Sequence, residues 1–352
     1  NKYSNRSYRV LSSYATMYYK SCKDFNMENQ NDVSYVSNLY DTAIANGYDR
    51  ARYSKGLFLY DIGQIDSSIT CLSTPIDYKK YKPTTGIEWL CYNIDVLFNK
   101  KSIALKTKEC LFLCYMSDYR YGEASLFVDE LYAKSKYSKC LYQLGRYYHY
   151  YKKDYSMAYK CYSKSYNRGE FYGKVFMGYT LMLMNEYVKS EKILKEVMDE
   201  RFTYYAALIL SKIYLEHYYY EPKYRDQAAK MLRVLLDDGD STLTIGEANY
   251  LYGKYLLKNA DSLTYYYLNA FNRDFKNEDI YFTLIKNEQG KNDQAMIEYL
   301  YEGVMKYNSF KDSSLIKENV MSLLFNPIYN EKTSYGTKLR ILNFIIDPLE
   351  FK

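Results

Sequence analysis

Leu144-Gly145-Arg146-Tyr147-Tyr148, followed by Ala158, Tyr162 and Ser165 and then by Gly169, is the stretch on which the fold turns. Ala158, Tyr162 and Ser165 are spaced by four and then three residues, which puts them on one stripe of a helix. A glycine just past such a stripe is a C-cap signal. Gly145 lies inside the preceding helical pattern, where glycine costs about 1 kcal/mol relative to alanine. Its presence there asks for a packing reason, and close approach of the second helix supplies one. The stretch therefore predicts two short helices that pack on each other through a small residue in the first.

The pattern recurs along the chain. An apolar or long residue, then Gly or Ser, two variable residues and Tyr or Leu appear at Lys55-Gly56-Leu57-Phe58-Leu59, Met177-Gly178-Tyr179-Thr180-Leu181, Leu210-Ser211-Lys212-Ile213-Tyr214 and Tyr252-Gly253-Lys254-Tyr255-Leu256. The second-helix stripe returns as Val36, Tyr40, Ala43 and Gly47, as Ser190, Leu194 and Val197, as Ala228, Leu232, Leu235 and Gly239, and as Leu263, Tyr267 and Ala270. Gly145 to Gly178 and Gly178 to Ser211 are each 33 residues, whereas Ser211 to Gly253 is 42. The extra residues are expected in lengthened loops around Tyr218 to Arg225, with Pro222 at the turn, and around Asp237 to Thr244.

A period near 33 is close to the roughly 34-residue tetratricopeptide repeat. The variable loops, with Leu144 to Tyr148, Ala158, Tyr162, Ser165 and Gly169, resemble the Sel1-like family, whose signature is Leu-Gly-x-x-Tyr followed by Ala-x-x-x-Tyr-x-x-Ala-x-x-x-Gly. The likeness is good over residues 137–275 and fair over 33–75. The family's Gly-rich turn between helices is replaced by Tyr150 to Tyr155 in one copy and Met184 to Tyr187 in another, so the choice between the sister families stays open. The resemblance implies an all-α chain, a right-handed α-solenoid of antiparallel helix pairs. On this reading residues 1–75 are N-terminal repeats and 137–308 the main array. Residues 309–352 hold capping helices, Ser314 to Phe325 and Ser334 to Ile346. Residues 76–136 are degenerate repeat or linker, with helices expected at Ile87 to Phe98, Ile103 to Met116 and Glu123 to Lys134.

Composition agrees with a folded chain. Of 352 residues, 48% are hydrophobic and 26% charged, which leaves ample core material. The net charge of +6 is spread along the chain with no basic block, which argues against nucleic acid as partner. No apolar run approaches the roughly 20 residues a membrane-spanning helix needs. The seven cysteines form no pairing pattern, so reduced thiols and a cytoplasmic setting are favoured over a periplasmic or secreted one. Forty-nine tyrosines stand against fifteen phenylalanines and one tryptophan.

Chemistry-bearing motifs are scarce. His149 and His217 are the two histidines, and neither has metal-like spacing to a second ligand. Cys110 and Cys114 lie one turn apart with Cys91 nearby, a conceivable thiolate site that reads more simply as buried core. Cys140 or Cys161 with His149 is the other catalytic pairing, without a nucleophile motif around it. No Gly-rich phosphate loop occurs. We expect no catalytic residue, cofactor or metal.

What the resemblance implies is a concave groove lined by first-helix positions three before, one after and four after the small residue, of which the first two are mapped. Those positions give Tyr53, Tyr142, Arg146, Tyr179, Lys212, Tyr250 and Lys254 as the partner-binding residues, together with Leu57, Val175 and Leu208. The expected function is a non-catalytic scaffold or adaptor holding a protein or peptide there. The alternative, also implied by the Sel1-like likeness, is a cell-envelope protein that binds polysaccharide or supports its export, with tyrosine rings stacking on sugars.

Overall fold

The computed structural model describes residues 8–21, 25–77, 86–238, 242–288 and 293–307, and every regular element among them is helical. Two compact units form, residues 1–186 and 187–352. The first holds α1 (Tyr8–Ser21), α2 (Gln30–Ala45), α3 (Ala51–Asp61), α4 (Ile65–Ser73), α5 (Gly86–Ser117), α6 (Tyr121–Ala124), α7 (Val128–Lys134), α8 (Ser138–Arg146), α9 (Tyr155–Tyr166) and α10 (Phe171–Leu183). The second holds α11 (Tyr187–Glu200), α12 (Tyr204–Glu216), α13 (Pro222–Asp238), α14 (Thr242–Leu256), α15 (Ala260–Asn272), α16 (Glu278–Glu288) and α17 (Asp293–Lys306). The expected caps within 309–352 lie outside the described residues.

Within each unit helices pack on their sequence neighbours, and a second set of contacts skips one or more helices. α1 meets α3, α3 meets α5, α5 meets α8, and in the second unit α12 meets α14. Consecutive packed helix pairs stacked in this way form a helical array compatible with a repeat fold.

The stripes read from the sequence are the cores of the pairs. Val36, Tyr40 and Ala43, then Ala158, Tyr162 and Ser165, then Ser190, Leu194 and Val197, then Ala228, Leu232 and Leu235 are all fully buried. A methyl group on Gly145 would lie 2.4 Å from the Tyr162 ring, and one on Gly56 would lie 2.4 Å from Leu72. Serine at the small second-helix position strengthens the approach, since Ser68 Oγ donates to the Gly56 carbonyl at 2.7 Å and Ser165 Oγ to that of Ser138 at 2.8 Å.

Helix ends follow local chemistry. Asn29, Asp154, Thr203 and Asn259 accept from backbone N–H groups of the first turn they precede. Gly47 and Gly169 take φ of 91° and 89°, and the following N–H groups of Tyr48 and Glu170 return to the carbonyls of Ala43 and Ser165. That is the Schellman closure expected of a C-terminal glycine. Lys153 and Asn185 take the same left-handed conformation, at φ of 57° and 63°. Left-handed geometry costs roughly 1–2 kcal/mol for a residue with a Cβ, least for asparagine. Lys153→Gly should therefore raise stability by about 0.5–1 kcal/mol after the extra freedom of glycine in the unfolded chain is subtracted. A shift of a few degrees in the thermal midpoint reads it; an unchanged or lower midpoint rejects it.

Four expectations on the elements need correction. Ile87 to Phe98 and Ile103 to Met116 are one 32-residue helix, α5, because Asn99-Lys100-Lys101-Ser102 contains no breaker. Glu123 to Lys134 begins earlier, at Tyr121, and is interrupted by a 3-10 turn at Ser125–Phe127. The turn expected over Tyr150 to Tyr155 shrinks to Lys153 and Asp154, since α8 continues through a π-helical segment, Tyr147–Lys152. The long Ser211 to Gly253 interval is taken up partly by helix: Pro222 occupies the first position of α13, where its missing N–H costs nothing, and α13 runs 17 residues through Asp238.

Candidate binding surface

In the first unit the π-helical segment gathers an aromatic cluster. Tyr142 on α8 meets Tyr162 on α9 at 5.8 Å and Phe176 on α10 edge-on at 5.5 Å between centroids. Tyr179 on α10 stacks on His149 at 5.0 Å, and Phe176 joins the two sets at 6.3 Å from Tyr179. Arg146 is exposed, its guanidinium 5.9 Å from the Tyr150 ring and 3.4 Å from Gln143 Oε1. Tyr142, Arg146 and Tyr179 are thus linked through Phe176, His149 and Tyr150. The two tyrosines are half-buried, and burial pushes the Tyr142 hydroxyl pKa up against the opposing charge of Arg146. They hold helices together as well as presenting a face.

The second unit treats its groove positions differently. Lys212 on α12 pairs with Glu247 on α14 at 3.0 Å. Lys254 on α14 pairs with Asp279 on α16 at 2.7 Å, and the Tyr250 hydroxyl donates to the same carboxylate at 2.7 Å. Burial works against the charge of Lys254, but its hydrogen bonds to Asp279 and Tyr250 outweigh that and push its pKa up. Burial raises the Asp279 carboxyl while Lys254 and Tyr250 lower it, with a net fall. Both lysines therefore link one first helix to the next. Val175 and Leu208, two further groove positions, are buried.

Tyr53 stands elsewhere. With Leu57, Tyr60 and Asp61 of α3 it lines a cavity of about 80 Å³ bordered by Lys106, Glu109, Cys110 and Leu113 of α5 and by Tyr137 and Lys139. Three of these residues, Lys106, Glu109 and Tyr137, also border an open cleft of about 800 Å³. Ala104 and Leu105 contribute apolar lining to the cleft, and Ser102, Lys108, Glu130, Lys134 and Lys136 complete it. Glu109 is buried and accepts from Ser135 Oγ at 2.6 Å. Glu130 takes both Lys108 and Lys134.

Neither family models nor curated proteins match this chain.

The reactive groups sit in the core. Burial pushes the Cys140 and Cys161 thiols up to about 12 and, with help from Lys153, pushes the His149 imidazole down to about 4. Near neutral pH the thiols keep their protons and the ring is uncharged, the reverse of an activated thiolate–imidazolium pair. Cys110 and Cys114 lie one turn apart, buried against α4, and Ser68 Oγ of that helix lies 3.4 Å from Cys114 Sγ. The Cys91 side chain lies outside the described set. Among the described residues no three His, Cys, Asp or Glu groups converge as a metal site requires, and no helix is long and apolar enough to cross a membrane. His217 stacks on Tyr187 at 3.5 Å.

The cleft residues went unread in the sequence. None occupies a repeat-defined groove position, and lysines scattered through residues 106–139 carry no pattern by themselves. The signal available was the uninterrupted helical stretch from Gly86 to Ser117, whose length forces the following elements to fold back along it.

Proposed function

We propose that this chain is a non-catalytic interaction scaffold, a right-handed α-solenoid of antiparallel helix pairs of the Sel1-like or tetratricopeptide kind, which holds a protein or peptide along its first helices. The observation that carries the proposal is the set of contacts that skip one or more helices, α1 to α3, α3 to α5 and α5 to α8 in the first unit and α12 to α14 in the second. Such packing leaves an extended face whose area exceeds that of any single pair, and offering such faces is what repeat arrays do. Tyr142, Arg146, Tyr150 and Tyr179 give part of that face the tyrosine and arginine composition typical of binding hot spots.

Arg146 and Tyr150 are exposed, so the double variant Arg146→Ala, Tyr150→Ala should fold like the wild type. Each would be coupled to resin and exposed to lysate of the source cells, with retained proteins quantified by mass spectrometry. A partner enriched by wild type should fall at least about fivefold on the variant, since two hot-spot truncations cost roughly 1 kcal/mol or more together. Equal retention on both would remove this face from the proposal. The polysaccharide alternative has its own support in the exposed rings of Tyr119, Tyr220 and Tyr265. Binding on a glycan array with no protein retained would favour it.

A further inference from the structure

We propose that the partner segment is acidic and extended, and that it binds in the cleft formed by α3, α5, α7 and the start of α8; this rests on the scaffold reading above. In the second unit the groove lysines already hold carboxylates of the chain itself, Lys212 with Glu247 and Lys254 with Asp279. A ligand would have to displace those ion pairs and would gain little.

In the cleft the balance is the other way. Lys108 and Lys134 share the single carboxylate of Glu130. Lys106, Lys136 and Lys139 are exposed, and among the described residues none of the three makes an ion pair. Lys139 rests against the Tyr60 ring at 5.4 Å, which orients its ammonium without neutralising it.

Against Lys106, Lys108, Lys134, Lys136 and Lys139 the two pockets set three carboxylates, Glu109, Glu130 and Asp61. Glu109 is buried and accepts from Ser135, and Asp61 accepts from the Tyr19 hydroxyl at 3.4 Å. By count the surplus is positive.

Shape selects an extended ligand. The small cavity beside Tyr53 and the large cleft share Lys106, Glu109 and Tyr137, so they adjoin each other beside α5. The cations come from α5, from the α7–α8 connection and from α8, and are therefore distributed around both. A ligand matching them carries carboxylates at intervals, with apolar side chains between to cover Ala104, Leu105 and the rings of Tyr53, Tyr60 and Tyr137. Charge complementarity of this kind sets both encounter rate and orientation.

The test uses the full chain and fluorescein-labelled decapeptides of alternating Glu and Leu, Gln and Leu, and Lys and Leu, with a ten-residue oligothymidylate as an unrelated polyanion, read by fluorescence anisotropy. The Glu-Leu peptide should bind, weakening as salt rises, and the other three should bind at least about tenfold more weakly. Lys106→Glu, Lys136→Glu and Lys139→Glu together should weaken the Glu-Leu peptide at least tenfold with an unchanged far-UV spectrum. The control Lys212→Glu, Lys254→Glu should change it less than twofold. Equal binding of the oligothymidylate or of the Gln-Leu peptide, no binding of the Glu-Leu peptide, or indifference to the three cleft changes would each overturn the inference. The scaffold reading is judged separately by the lysate experiment: a partner retained by both wild type and the cleft variant sinks the acidic-segment inference and leaves the scaffold standing.

Discussion

Gly145→Ala should destabilise the first unit by about 2–3 kcal/mol, although the same substitution on an open helix stabilises by nearly 1 kcal/mol. The new methyl would stand 2.4, 2.5 and 2.9 Å from three carbons of the Tyr162 ring. Tyr162 is fully buried and hemmed by Tyr142 at 5.8 Å and Phe176 at 5.3 Å, so its ring has nowhere to turn. Either α8 moves away from α9 or the aromatic cluster reorganises, and overpacking of this sort costs typically 1–3 kcal/mol.

Gly173→Ala should be at least as costly, because there the methyl meets backbone, the Tyr162 carbonyl at 2.7 Å and the Tyr166 nitrogen at 2.9 Å. Gly122 is the internal control, with nothing within 4 Å of a methyl placed on it. Urea denaturation followed by far-UV circular dichroism compares the three. If Gly145→Ala melts with Gly122→Ala, close helix approach is not what the glycine signature encodes. If Tyr162→Leu restores the Gly145→Ala variant towards the stability of Tyr162→Leu alone, the clash is located at that ring.

These glycines show what the sequence made legible. A residue that disfavours helices, recurring inside a helical pattern at a fixed distance from an apolar stripe, has one economical explanation, and Gly56, Gly145 and Gly253 all lie against second-helix side chains. The stripes were equally readable, because offsets of four and three survive any change in loop length. The first pair escaped notice on one side: Val36, Tyr40 and Ala43 were read, but their partner α1 uses Ser12 and Ala15 in place of glycine, and Thr16 reaches the Tyr40 hydroxyl at 2.8 Å. Serine and alanine are too common in helices to signal close approach.

The surface was less legible for a different reason. Position relative to the small residue placed Lys212 and Lys254 on first helices, but their charge is set by carboxylates 35 and 25 residues further along. A repeat phase predicts which way a residue faces within its own pair and nothing about the acid on the next. Tyr142, Arg146 and Tyr179 are linked through Phe176, His149 and Tyr150, whereas Tyr53 faces α5, a helix whose length the phase does not contain. The cleft follows from that length.

Acidification should destabilise the first unit through His149. The imidazole is buried, stacked on Tyr179, ringed by Tyr150, Tyr155, Tyr162 and Phe176, with Thr180 Oγ1 at 3.4 Å from Nδ1. The charged group that acts on it is Lys153, at the end of the same π-helical segment, and it too disfavours the imidazolium. Burial is the larger cause, and together they hold the folded pKa at about 4 against an ordinary value near 6.5. Because the folded value is the lower one, the unfolded chain takes up the proton first. The stabilising contribution is complete above pH 6.5 and disappears as pH falls through about 4. Its full size is on the order of 3 kcal/mol, a substantial part of what a unit of this size possesses. His149→Phe keeps an aromatic ring in the site and removes the titration. Carboxylates contribute equally to both proteins, so the difference between wild type and variant in urea midpoint, taken from pH 7.5 down to 4.5, isolates the histidine. That difference should shift in favour of the variant as pH drops below 6.5. A difference that stays constant over the whole range would mean that His149 is solvated or paired in the folded chain, and that the aromatic cluster around the π-helical segment is looser than its ring distances imply.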